Sequence, residues 1–169
     1  MTQNLIDTIL SRRSIRKYTS ESINDEHIQR MLDAAMAAPS ASNRKPWHFI
    51  VVKNRKILDA LAESLQYGKM LHEAPLCIAV CGDIALSERY WIQDCSAATE
   101  NILLTATALG LGSVWLGVYP NEDRVKIIAK LLKIPKNIVP LNLISIGHPA
   151  ENKESRTQFD KMRVHLEEW

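Results

Sequence analysis

Between Arg12 and Tyr18 the chain reads Arg-Arg-Ser-Ile-Arg-Lys-Tyr, which places four cations and one hydroxyl within six residues. A guanidinium presents a planar fork of donors that matches phosphate oxygens or the carbonyl-rich edge of a ring. Arg12 and Arg16 are four apart and would share a face if the preceding helix ran on. The same composition also describes a solvated basic turn, so charge alone leaves both readings open. A second segment, Pro39-Ser40-Ala41-Ser42-Asn43-Arg44-Lys45-Pro46-Trp47, is a proline-bounded loop of small polar residues. Such a loop exposes backbone donors and acceptors, to which Ser40, Ser42 and Asn43 add their own; it also reads as a plain connector. A third, Gly110 to Gly117 (GLGSVWLG), has glycines that allow a tight turn and the close approach of a flat ligand to the backbone.

Other chemistries lack their residues. No G-x-x-x-x-G-K-[ST] occurs, and the Gly110 segment is not a G-x-G-x-x-G between strand and helix, so neither a P-loop nor a Rossmann nucleotide site is expected. No serine sits in a G-x-S-x-G elbow. His27, His48, His72, His148 and His165 are scattered, with no pair four residues apart and no cysteine cluster nearby, which argues against a metal site. Each reads as a surface or capping residue. Cys77, Cys81 and Cys95 suit neither a disulfide framework nor a zinc site and read as reduced, mostly buried thiols. Asp94 reads as a helix-face carboxylate near the surface, and Trp91 and Trp115 read as core.

The elements that must position these segments alternate along the chain. Leu5, Ile6, Ile9 and Leu10 give a short helix over 4–11 one apolar stripe. Asn24, Asp25 and Glu26 start a second helix, which should end before Pro39. Residues 47–53 and 75–81 read as strands, with a helix over 56–65 between them. Residues 87–109 form the longest periodic segment. Its middle is apolar on most sides, as in a central or subunit-interface helix, and Gly110 and Gly112 end it. A strand over 113–119, a helix over 121–132 capped by Asn121 and a strand over 138–146, interrupted early by Pro140, complete the pattern before a polar tail over 148–169. One sheet with helices around it is the economical packing. The strand patterns alone do not distinguish parallel from antiparallel pairing.

The 169 residues, 46% apolar and with a net charge of +2, describe one soluble domain rather than two. The near balance of charge argues against a nucleic-acid binder. No window approaches the ~20 apolar residues of a membrane span, and no secretory signal opens the chain, so a cytoplasmic protein is expected.

The three chemical segments, taken in order, resemble the short members of the nitroreductase-like flavoprotein family. The matching residues are SRRSIRKY at 11–18, APSASNRKPWHFIVV at 38–52, NILLTATALGLGSVWLG at 101–117 and IGHP at 146–149. The resemblance implies an α+β fold, with a central, mostly antiparallel sheet surrounded by helices in an intertwined homodimer. It implies FMN at the dimer interface, NADH or NADPH as co-substrate, and ping-pong hydride transfer through the flavin N5 to nitroaromatic, quinone or related acceptors. It places Arg12, Arg13, Ser14 and Arg16 at the flavin: Arg12 and Ser14 toward phosphate and ribityl chain, Arg16 toward the pyrimidine or phosphate side. Pro39, Ser40, Ala41 and Asn43 become the loop that arrives from the other subunit. Trp115, Leu116 and Gly117 lie against the ring near N5, and Arg156 closes on the phosphate.

The chain departs from the family pattern in three places. The family often carries two basic residues spaced by one in the tail, where this chain has Gln158 after Arg156. The acid that larger relatives carry beside the glycine is replaced by Leu116, leaving a backbone contact to N5. The extra helices of larger relatives are missing, so the substrate side is more open, with residues 66–70 as a lid and Lys69 near the flavin edge. Flavin carries the redox chemistry and the protein supplies position and electrostatics, so no catalytic acid, base or nucleophile is required. A flavin-binding carrier or sensor without turnover is the alternative.

Overall fold

The computed structural model describes residues 4–155 and 157–169. Five helices and four strands follow one another among them: α1 (Leu5–Ser11), α2 (Asp25–Met36), β1 (Trp47–Val52), α3 (Arg55–Ser64), β2 (Leu76–Asp83), α4 (Trp91–Ala108), β3 (Gly112–Gly117), α5 (Glu122–Leu131) and β4 (Ile138–Gly147). The order is the one read from hydrophobic periodicity. Helix starts are set by asparagine: Asn4, Asn24, Asn54 and Asn121 each cap a helix by accepting an amide of its first turn. Such a cap contributes about 1 kcal/mol relative to alanine. Helix α4 has no side-chain cap and begins at Trp91, four residues later than periodicity indicates, because residues 84–90 are taken up in turns.

The four strands form one antiparallel sheet in the order β1-β2-β4-β3. The sheet is covered on both faces, which is why residues 75–81 read as a continuous apolar run rather than an alternating one. Leu76, Ile78 and Val80 face a core with α2 and α4 that includes Met31 and Ile102. Cys77, Ala79 and Cys81 face a second core with α3 and α5 that includes Leu58, Leu61 and Ile128. Val80 pairs with Asn142 and Cys81 with Pro140, so Leu141 is the extra residue of a bulge. Proline cannot donate to the ladder, and a bulge is where a central strand tolerates it. The slip turns Leu141 onto the same face as Ile144 and Ile146. The Leu141 carbonyl accepts from the amides of Val118 and Tyr119, at 3.1 and 3.0 Å.

The apolar stripe of α1 is present but unburied in a single chain: Leu5, Ile6, Ile9 and Leu10 are 40–68% exposed. Phe159, Met162, Val164, Leu166 and Trp169 of the tail are exposed as well. Among the described residues no helix is long and apolar enough to cross a membrane.

Candidate functional site

Helix α1 stops at Ser11, and Arg12 is already extended, with φ −55° and ψ 128°. Arg12 and Arg16 therefore do not share a helical face. Instead the motif runs alongside β3. Ser14 bridges Ser113 in parallel, and the Ile15 amide donates to the Ser113 carbonyl at 3.0 Å. Gly112 makes this approach possible, since a Cβ there would meet Ile15 at 2.6 Å. Ile15 and Tyr18 point inward as anchors. The Tyr18 hydroxyl donates to the Ile15 carbonyl at 2.6 Å, with the Ser145 carbonyl at 3.2 Å. Burial pushes its pKa well above the usual tyrosine range. With the apolar members turned inward, Arg12, Arg13, Ser14 and Arg16 line a hollow with Lys153 and Glu154.

The tail folds back to build the other wall. Arg13 Nε donates to the Glu154 carbonyl at 2.8 Å, and Lys153 Nζ donates to the Ser14 carbonyl at 2.6 Å. Glu151 accepts from the Arg16 amide at 2.6 Å and pairs with Lys153 at 3.3 Å. Those contacts, the Arg16 amide first, hold the Glu151 carboxyl below its ordinary range. Arg12 Nε lies 3.6 Å from Glu100 on α4. Glu100, Glu151 and Lys153 were not legible as site residues, because no motif spacing ties them to the arginines. Arg156 lies outside the described residues.

A second groove adjoins the hollow and shares Arg16 with it; its other lining residues are Leu65, Tyr67, Trp115, Leu116, Gly117 and Arg124. Strand β3 is an edge strand. Since Ser113 turns its carbonyl outward to Ile15, the two-residue repeat turns the N–H and C=O of Trp115 and Gly117 to the same free edge. Arg124 Nη1 donates to the Gly117 carbonyl at 3.2 Å. Nothing lies within 4 Å of where a Gly117 Cβ would sit. Trp115 is 36% exposed and lines this groove rather than the core; Trp91 is the buried one.

The loop after α2 is organised differently. Ser42, Asn43 and Lys45 all have φ near +50° (52, 53 and 50). That left-handed conformation is uncommon outside glycine, and asparagine tolerates it best. Ser40 braces the turn: its carbonyl accepts the Asn43 amide and its hydroxyl accepts the Lys45 amide, each at 2.9 Å. Asp94 is not a surface carboxylate, as its sequence position indicates, but only 5% exposed. It accepts the Ala41 amide at 2.9 Å and the Ser87 hydroxyl at 3.3 Å, and so pins the loop to α4. In a single chain Ala41 and Ser42 line a third hollow with Arg44, Glu88, Arg89 and Tyr90. The loop residues Pro39, Ser40, Ala41 and Asn43 thus do not line the arginine hollow or the β3 groove of their own chain. Asp94 and Glu100, which meet the loop and Arg12 respectively, stand about 9 Å apart along α4.

Residues 66–70 place Tyr67 at the groove, but Lys69 turns away to an ion pair with Glu63 at 2.6 Å. Beside it His72 bridges Asp59 at 2.9 Å and Glu63 at 2.7 Å, which raises its pKa above the ordinary value and lowers those of the two carboxyls. Cys77, Cys81 and Cys95 are buried free thiols pushed up to about 12 by desolvation, unsuited to nucleophilic chemistry. No group of His, Cys, Asp and Glu able to hold a metal exists among the described residues.

Comparison with known proteins matches the family model described as the nitroreductase family to residues 9–68 and 62–148. The chain is 49% identical to an Archaeoglobus fulgidus protein provisionally described as an NADH dehydrogenase/NAD(P)H nitroreductase, over 99% of both chains. A Parabacteroides distasonis crystal structure with the same provisional description superposes with TM-score 0.96 at 43% identity, over 99% of this chain and 100% of that one. A provisionally described nitroreductase from Desulfovibrio desulfuricans, solved in complex with FMN, superposes with TM-score 0.83 at 31% identity over 98% of each chain.

Proposed function

The chain belongs to the nitroreductase family, and from that premise we propose that it is an FMN-dependent NAD(P)H oxidoreductase acting as a homodimer. The observation that carries this reading is the continuity of two unlike surfaces through Arg16: a cation-lined hollow and a groove with a free backbone edge. Their donor chemistry fits FMN end to end. A phosphate dianion calls for clustered cations, and a planar ring calls for flat apolar walls and backbone groups aimed at its polar edge.

Arg12, Arg13 and Ser14 would hold the phosphate and ribityl chain, with Lys153 as the cation that the tail supplies from an unanticipated position. Arg156 remains assigned to the phosphate by family resemblance alone. Arg16 would stabilise the negative charge that reduction places at the pyrimidine end, which favours the reduced form. Trp115, Leu116 and Gly117 would lie against the ring, with backbone groups rather than an acidic side chain facing N5. Bound FMN would supply the redox chemistry, taking a hydride from NADH or NADPH and passing two electrons to a nitroaromatic, quinone or related acceptor in ping-pong alternation. Lys69, held by Glu63, would reach the flavin edge only by leaving that pair.

The exposed apolar faces of α1 and the tail support a second copy, since contiguous exposed apolar surface marks an interaction site. In that assembly Pro39, Ser40, Ala41 and Asn43 would complete the partner's flavin site. Reduced, buried thiols accord with a cytoplasmic location. The test is direct: purified protein should absorb in the ~450 nm flavin band, bleach when mixed anaerobically with NADH or NADPH, and run as a dimer. Failure to bind added FMN refutes the proposal. A flavin that never bleaches makes the protein a carrier.

A further inference from the structure

The groove beside β3 carries two guanidinium groups and no carboxylate among its lining residues. Arg16 approaches from the N-terminal segment and Arg124 from the first turn of α5. Arg124 is half-buried, so its position is defined, and one nitrogen donates to the Gly117 carbonyl at 3.2 Å. The fork holds five donors, so most of it is left to face the groove. Among the described residues no ion pair includes Arg124; of its acidic neighbours in the first turn of α5, Glu122 and Asp123, Glu122 is engaged by Lys126 at 3.6 Å. Tyr67, 70% exposed, and the partly exposed Trp115 give the groove flat aromatic walls. With the flavin on Trp115, Leu116 and Gly117 and Arg16 at its pyrimidine end, Arg124 and the exposed Tyr67 ring are the lining groups left for a planar co-substrate that carries a negative charge.

We propose that Arg124 is a specificity-determining residue that favours planar aromatic co-substrates carrying an anionic group over their neutral counterparts. The proposal rests on the redox reading above and names the substrate class of that site. The anion could sit on the acceptor, as a carboxylate, or on the dinucleotide, as a phosphate. Both are read by the same fork.

The experiment compares wild type with Arg124→Gln and Arg124→Lys, each loaded with FMN. Calorimetric titration without reductant gives the Kd of 4-nitrobenzoate and of the near-isosteric, neutral 4-nitrobenzamide. Steady-state assays give KM for the same pair, and for NADH and NADPH. The preference for nitrobenzoate over nitrobenzamide should fall by about two- to fivefold in Arg124→Gln, the scale of a partly exposed charge contact. Arg124→Lys should retain much of it. A loss confined to NADPH relative to NADH would assign the anion to the dinucleotide. If both nitro compounds shift by one common factor, or neither shifts, and NADPH is not weakened relative to NADH, Arg124 only positions Gly117 and the proposal is overturned. Flavin content is measured first: a protein that takes up no FMN refutes the redox reading, whereas flavin-loaded protein in which both the nitro-compound and the dinucleotide preferences are unchanged refutes the role of Arg124 alone.

Discussion

Replacing Arg12 with alanine should weaken FMN retention while leaving the fold intact. Arg12 is 29% exposed at its side chain, and its ionic contact in the free protein is a 3.6 Å approach to Glu100, itself 48% exposed. An exposed pair of that length contributes about 0–1 kcal/mol, so its loss should barely move Tm. A charge-assisted contact to a phosphate dianion is worth about 1.5–3 kcal/mol. The difference, about 0.5–3 kcal/mol, corresponds to roughly a 2- to 150-fold rise in the FMN Kd. Glu100→Gln should act in the opposite sense, because it removes the carboxylate that competes with phosphate for Arg12. Fluorescence titration of apo-protein with FMN measures both variants, and thermal unfolding of the apo-forms supplies the control. Equal FMN affinity in wild type and Arg12→Ala would show that this guanidinium does not meet the cofactor. A large loss of apo-protein stability would show that its role is structural.

Asp94→Ala should cost about 2–3 kcal/mol, since it leaves the Ala41 amide and the Ser87 hydroxyl without their acceptor; at this chain length that lowers Tm by roughly 5–10 °C, and an unchanged Tm would mean that the loop is held by its own turns. The Asp59–His72–Glu63 cluster should give stability a pH optimum. The raised His72 pKa contributes fully below its ordinary 6.5 and is lost as pH climbs through the raised value; the lowered carboxyls contribute fully above 4.5 and are lost as pH falls through the lowered values. Denaturation curves from pH 4 to 8 should therefore show a cluster contribution that is complete between about 4.5 and 6.5, and His72→Gln should flatten the profile. Ile9→Glu, on the exposed stripe of α1, should shift the protein from dimer to monomer in sedimentation, and a dimer that survives it would remove α1 from the interface.

The order of elements was legible because each depends on neighbours in sequence. Asparagine caps, apolar spacing and helix-ending Gly110, whose φ is +75°, are local signals, and the observed helices follow them. The basic motif and the β3 glycines were legible as chemistry for the same reason. Asp94 was misread, because a carboxylate on an amphipathic helix says nothing about which loop folds onto it. By composition alone Trp115 read as core, because an aromatic in a strand is equally suited to a core and to a groove wall; the family resemblance put it at the flavin, and it lines the β3 groove. Lys153 and Arg124 were missed altogether: each meets its target through backbone carbonyls, Ser14 and Gly117, which carry no side-chain signature.

Composition and local pattern by themselves determined the order of helices and strands and the presence of a cation cluster, since residue type and short-range spacing decide charge, propensity and caps; the α+β class came from the family resemblance. Only the tertiary structure decided that Arg16 joins two hollows, that β3 is an edge strand with an open backbone and that the tail returns to wall the site. Those facts depend on which distant segments pack together, and packing is selected by the sum of many small burial terms spread over the whole chain.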